Sequence, residues 1–120
     1  SAAGARDLES AVRACEAHAR EKGDGDPDGY YQLNMRFHET VAVAACNSFL
    51  TELVKTNARK LLAYYRARYK FAGAIAVSAA EHRQIASLIT DRNSVGAESL
   101  MARHVQFDQV TAMDLLAALA

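Results

Sequence analysis

The chain has 120 residues, of which 51% are hydrophobic and 23% are charged, and this length suits one domain with a core rather than two domains. Lys and Arg number 14, and so do Asp and Glu, so the formal net charge is zero. This balance excludes a global basic field for binding nucleic acid or an anionic membrane. The longest uncharged stretch, 40–51, is shorter than the roughly 18 residues of a membrane span. Cys15 and Cys46 lack CxxC spacing and suit reduced core thiols, so we expect a soluble, cytoplasmic protein.

Apolar residues recur at three- and four-residue steps along most of the chain, which predicts amphipathic helices. In chain order, we expect helices over 7–22, from about 33 to 45, from 49 to near 73, over about 78–90, and from 97 to near 118. No segment alternates apolar and polar residues in the manner of a strand. The sequence therefore predicts an all-α fold, an antiparallel helical bundle of about five to six helices.

Three of the four histidines are predicted to point into the bundle from different helices. At about 100° per residue, His38 lies at the edge of an apolar stripe, with Asn34 one helical turn before it. His82 and His104 lie within apolar faces of later helices, whereas His18 lies outside its stripe and is expected to be exposed, without a role. Each buried imidazole needs a polar partner, and one shared cation would satisfy three of them. The pattern predicts a metal-competent cluster of Asn34, His38, His82 and His104.

The motifs around these histidines resemble the FCD family, the C-terminal effector-binding domain of GntR-type bacterial transcription regulators. The resemblance covers nearly the whole chain from Asp7 onward. Its motifs are the run Asn34-Met35-Arg36-Phe37-His38, the helix and break over 39–47, the pair Glu81-His82 before 83–85, and the stretch 97–101 leading to His104. The order of the motifs and the separation of the last two histidines fit the family pattern.

The resemblance implies a divalent metal bound by one carboxylate and three histidines, with a small organic acid at the open coordination positions. Residue by residue, His38, His82 and His104 match the three histidines, and Asn34 stands where the family usually has Asp. An amide oxygen is a weaker ligand than a carboxylate, so affinity for the ion should fall. Imidazole ligands suit zinc, nickel, iron or manganese, and the sequence does not choose among these metals.

The resemblance also implies one effector-binding domain over residues 1–120, without the winged helix-turn-helix domain that precedes it in the family. We therefore expect contact with DNA only through that missing domain, and no contact with a membrane. Recognition of paired DNA half-sites needs two copies, so we expect a homodimer.

Four further residues are candidates for roles near the histidines. Asn57, Tyr64 and Arg68 are predicted near one side of the long third helix. There Arg68 could contact an effector carboxylate and Tyr64 could donate a hydrogen bond, although the surrounding basic stretch equally suits a solvated face. Asp108, one turn after His104, could hold an imidazole tautomer, serve as a general base, or be an ordinary boundary residue.

Three functions fit these observations. The one favoured by the resemblance is a sensor domain that binds a small carboxylate at the metal and is not an enzyme. A metal-dependent hydrolase or lyase could use the same three histidines, because an open coordination position can lower the pKa of bound water. A metal-free helical dimerisation module, with the histidines as ordinary core residues, is the third.

Overall fold

The computed structural model describes residues 2–45, 48–106 and 109–119, and the described residues form seven α-helices. In chain order these are α1 (Ala2–Lys22), α2 (Pro27–Ala44), α3 (Ser48–Lys60), α4 (Leu62–Arg68), α5 (Ala74–Thr90), α6 (Ser94–His104) and α7 (Gln109–Leu119). The all-α class is confirmed, with more helices than the five to six predicted. None of the described helices combines the length and apolar character needed to cross a membrane.

Two predicted helices are each divided in the structure. The long third helix is interrupted at Leu61, whose φ of −97° and ψ of 8° depart from helical values, so α3 and α4 are separate. The last predicted helix becomes α6 and α7, because regular helix ends at His104. The prediction of two continuous helices was wrong, since neither described break carries the Gly or Pro that marks an interruption in sequence.

The starts of α2 and α6 follow ordinary capping rules. The Asp26 carboxylate accepts a hydrogen bond from the Gly29 N–H at 3.0 Å, and Pro27 occupies the first turn, where a missing N–H costs nothing. The Asn93 side chain accepts from the Gly96 N–H at 2.9 Å at the start of α6. These two caps determine where the helices that carry His38 and His104 begin.

Helix α1 packs against α2 and α5, and α5 packs against α6, so these four helices enclose the main core. The largest apolar side chains that are fully buried are Tyr30, Phe37, Ile75, Ile85 and Val12. Cys15 is buried among them as a free thiol, in agreement with its predicted role, and Cys46 lies outside the described residues. Helix α4 packs mainly against α7 and α2.

The turn before α5 is tied to the loop before α2. Gly73 has a φ of +80°, a left-handed conformation that glycine adopts without steric cost, and its N–H donates to Asp24 Oδ2 at 3.2 Å. Arg66 on α4 reaches the first turn of α2, with Nε 3.1 Å from Asp28 Oδ1. The start of α2, which leads to His38, is therefore linked to α4 directly and to the turn before α5 through the loop.

Candidate metal centre and adjoining cleft

Three helices bring three imidazoles together at one point in the bundle. His38 comes from α2, His82 from α5, and His104 is the last residue of α6. His104 Nε2 lies 3.0 Å from His82 Nε2 and 3.3 Å from His38 Nε2. One ring nitrogen from each histidine lies within 4.8 Å of the other two. The structure thus brings together the three histidines that the sequence analysis selected.

Aromatic stacking orients these rings. The Phe37 ring, which is fully buried, stacks on His82 with centroids 4.0 Å apart and an angle of 18° between the planes. The rings of His38 and His104 are also stacked, with centroids 5.2 Å apart. Phe37 precedes His38 on α2, so the same turn of helix supplies one histidine of the cluster and the aromatic ring that stacks on another, His82.

Burial keeps two of the imidazoles neutral. It lowers the pKa of His82 to about 2 and that of His38 to about 3, because the charged form loses its hydration and the neighbouring His104 opposes a second positive charge. At neutral pH each of these rings therefore has one nitrogen with a free lone pair. A neutral imidazole is the form of histidine that binds a metal.

Glu81 determines which nitrogen of His104 faces the cluster. Its Oε1 lies 3.1 Å from His104 Nδ1, so the carboxylate accepts the Nδ1–H and leaves Nε2 turned toward the other two histidines. A carboxylate that holds the outer nitrogen of a histidine is the usual support for a metal ligand.

The hydrogen-bonding capacity of the cluster is not satisfied within the described protein. The Nε2 atom of His104 faces two other Nε2 atoms, and its single lone pair accepts at most one good hydrogen bond. Asn34, 3% exposed and one turn before His38, has a buried Oδ1 atom with no hydrogen-bond partner among the described residues. Buried polar atoms are nearly always paired, so this oxygen is available to a donor or a cation.

The spacing of the nitrogens suits a small transition-metal ion. Zinc–nitrogen bonds of about 2.0–2.1 Å in tetrahedral geometry place two ligand nitrogens about 3.3–3.4 Å apart. The separations of His104 Nε2 from the Nε2 atoms of His82 and His38, 3.0 and 3.3 Å, are close to this value. Three imidazole nitrogens favour zinc, nickel or iron over calcium, which takes oxygen ligands. The residues present therefore fit the metal that the family resemblance implies.

A cleft of about 320 Å³ adjoins the histidines, between α4 on one side and α5 and α6 on the other. Its polar and charged lining includes Tyr64, Arg68, Ser78, Glu81, Arg103 and His104. Two of the predicted effector-binding residues, Tyr64 and Arg68, thus lie in one cleft with His104. Asn57 is exposed on α3 and does not line it, and Asp108 lies outside the described residues. The roles of these four residues in binding stay predictions.

The family model described as FCD domain matches residues 1–107. The chain belongs to the FCD family. FCD domains are the ligand-binding, regulatory domains of GntR-type transcription regulators, and many of them bind metals. No curated protein and no solved structure matches the chain.

Two residues of this FCD domain were missed by the sequence analysis. Glu81 and Arg103 each precede a cluster histidine directly, and that adjacency was the available signal. Successive residues on a helix differ by about 100° in direction, so the residue before a buried ligand lies at the margin of the buried face. In this structure that margin faces the cleft, and both Glu81 and Arg103 line it.

The expectation of an exposed His18 was wrong. Its side chain is 10% exposed, and its Nε2 lies 3.3 Å from Asp26 Oδ2, at the cap of α2. The ring also contacts Tyr30 edge to face, with centroids 5.7 Å apart. The loop before α2 folds back over the end of α1 and covers this histidine, a contact that the helical period of α1 alone does not contain.

Proposed function

We propose that this FCD domain senses a small carboxylate through a divalent metal held by His38, His82 and His104, with the Asn34 amide oxygen as a fourth ligand. The observation that supports the proposal is the approach of three imidazoles to one another beside a cleft of about 320 Å³. The donor set suits zinc, nickel, iron or manganese. When bound, the metal supplies positive charge and an open coordination position for an anionic oxygen.

The protein contributes ligands that are already prepared for a metal. Burial keeps His38 and His82 in the neutral form at pH 7, so no proton has to leave either ring before it binds a cation. Glu81 accepts the Nδ1–H of His104, which increases the basicity of the opposite nitrogen. Asn34 adds an oxygen without a charge, so the full charge of the ion is available to attract the acid.

The cleft offers contacts for the rest of the effector and a route to a conformational response. Arg68 and Tyr64 on α4 face the same space as His104 on α6, so a ligand held from both sides bridges these helices. A ligand shifts a conformational equilibrium only as far as it binds one state better than the other. We propose that this bridging favours one arrangement of α4 against α5 and α6, and that a homodimer transmits it to attached DNA-binding domains.

The metal content of the purified chain tests the centre. We expect about one equivalent of transition metal in the wild-type protein, or after treatment with a chelator and resupply of zinc, nickel or manganese. His82→Ala and His104→Ala should each lose it, and His18→Ala, a histidine outside the cluster, should retain it. Circular dichroism of each variant checks folding. Equal metal content in all the proteins, or none in any of them after resupply, would refute the proposed site.

A second measurement separates sensing from catalysis. A sensor returns the bound acid unchanged after prolonged incubation, whereas a hydrolase or lyase that uses the same histidines converts it. Mass spectrometry of candidate carboxylates incubated with the zinc-loaded chain measures this directly. A helical module without a metal predicts that a chelator changes neither the melting temperature nor ligand binding, which thermal unfolding measures.

A further inference from the structure

Two arginines line the cleft from opposite sides. Arg68 is half-buried on α4, and Arg103 is exposed in the last turn of α6. Among the described residues, neither of them forms an ion pair, although Arg68 lies 6.0 Å from the Phe71 ring centroid. By contrast, Arg83 is held by two carboxylates, with distances of 2.6 Å to Glu9 and 2.7 Å to Glu16.

The described lining of the cleft is positively charged before any metal binds. Among the described residues, it contains two guanidinium groups and one carboxylate, Glu81. That carboxylate lies against His104 Nδ1 at 3.1 Å. Three tyrosines and Ser78 also line the cleft and supply hydroxyl groups. A divalent cation at the histidines would add two further positive charges, so one carboxylate would leave most of this charge unbalanced.

We propose that Arg68 and Arg103 make the cleft selective for dicarboxylates over monocarboxylates. This inference rests on the proposed function: one carboxylate of the effector lies at the histidine end, and the second lies between the two arginines. A guanidinium binds a carboxylate through two parallel N–H donors, which gives strength as well as directional specificity.

The connection between the two carboxylates explains the selectivity. Once the first carboxylate is bound at the histidines, the second reaches the arginines as an intramolecular event at a high effective concentration. A monocarboxylate of the same carbon length makes only the first contact. One charge-assisted pair of this kind corresponds to about a tenfold gain in affinity or more. The second carboxylate also joins α4 to α6, because the two arginines lie on different helices.

Calorimetric titration of the zinc-loaded chain with matched acids tests the inference. The probes are the diacids malonate, succinate and glutarate, each compared with the monoacid of equal carbon number, propionate, butyrate or pentanoate. The variants are Arg68→Gln and Arg103→Gln. Arg20→Gln is the control, because Arg20 occupies the last turn of α1 as Arg103 occupies the last turn of α6, so both changes alter the helix-end charge equally.

We expect at least one diacid to bind the wild-type chain about tenfold more tightly than its monoacid. The ratio of diacid affinity to monoacid affinity should fall toward one in Arg68→Gln and in Arg103→Gln and stay unchanged in Arg20→Gln. In all three variants the affinity for the monoacid should stay within about threefold of the wild-type value. Monoacids that bind as tightly as every diacid, or a preference that survives both cleft variants, would overturn the inference and leave the proposed function standing. If no acid of either kind binds, both the proposed function and this inference fail.

Discussion

Acidification should destabilise the metal-free protein well before its carboxylates are protonated. His38 and His82 have pKa values lowered from 6.5 to about 3 and about 2 by burial. The unfolded chain takes up both protons as the pH falls through 6.5, whereas the folded chain does not until far lower pH. The unfolded state therefore binds more protons between these limits, so the free energy of unfolding decreases as the pH falls through that range.

The size of the effect follows from the two pKa values. A histidine whose pKa is lowered this far reduces the free energy of unfolding by about 1.4 kcal/mol for each pH unit below 6.5. From pH 7.5 to pH 5.5 each histidine therefore removes about 1.4 kcal/mol, and the pair removes about 3 kcal/mol. Glu9 and Glu16 have pKa values lowered by hydrogen bonds from Arg83. Their contribution to the free energy of unfolding is therefore lost only below about pH 4.5, outside the range from pH 7.5 to pH 5.5.

Urea unfolding with a chelator present, at pH 7.5 and at pH 5.5, measures the loss. His82→Leu removes one of the two groups at similar volume, so we expect its loss to be about half that of the wild type. Ile85→Val, also on α5 and fully buried, is the control: it should cost about 1 kcal/mol at both pH values and retain the wild-type pH dependence. A wild-type free energy of unfolding that does not change between these pH values would refute the reasoning.

Three further changes test the supports of the site. Glu81→Gln should weaken zinc binding about tenfold, because the amide is a poorer acceptor for the imidazole N–H. Competition with a chromogenic chelator measures the affinity for zinc. The control is Glu98→Gln, at an exposed position, which should have no effect. Asn34→Asp should strengthen zinc binding by about tenfold in the same assay, since a carboxylate replaces an amide, and an unchanged affinity would argue against position 34 as a ligand. Asn93→Ala should lower the free energy of unfolding by about 1 kcal/mol in urea, and Asn93→Asp, which keeps the cap of α6, should lower it much less.

Much of the fold was predictable because it depends on local periodicity. An apolar stripe repeated at three- and four-residue steps can be buried only against other helices, and α1 shows this directly, with Leu8, Val12 and Cys15 all buried. The phase of a helix also predicts which of its residues face inward. His82, in the middle of the apolar face of α5, is fully buried for that reason.

The breaks at Leu61 and after His104 were not predictable from the same pattern. Apolar periodicity continues across both positions, and the described residues there include no Gly or Pro. After the break at Leu61, α4 contacts α7 and α2, and apolar periodicity along one helix does not contain such contacts. Helix propensity is a weak preference that tertiary contacts readily override.

The sequence by itself determined the helical class, the family motifs and the inward direction of His38, His82 and His104, because each of these follows from residue identity and the 3.6-residue period. Only the tertiary structure decided that one ring nitrogen from each histidine lies within 4.8 Å of the other two, that Glu81 contacts the opposite nitrogen of His104, and that Arg68 and Arg103 face one cleft. These features depend on the angles and distances at which helices far apart in the chain pack against one another. Helical phase specifies a direction around one axis, whereas a binding site requires distances between several axes, and packing of the whole core sets those distances.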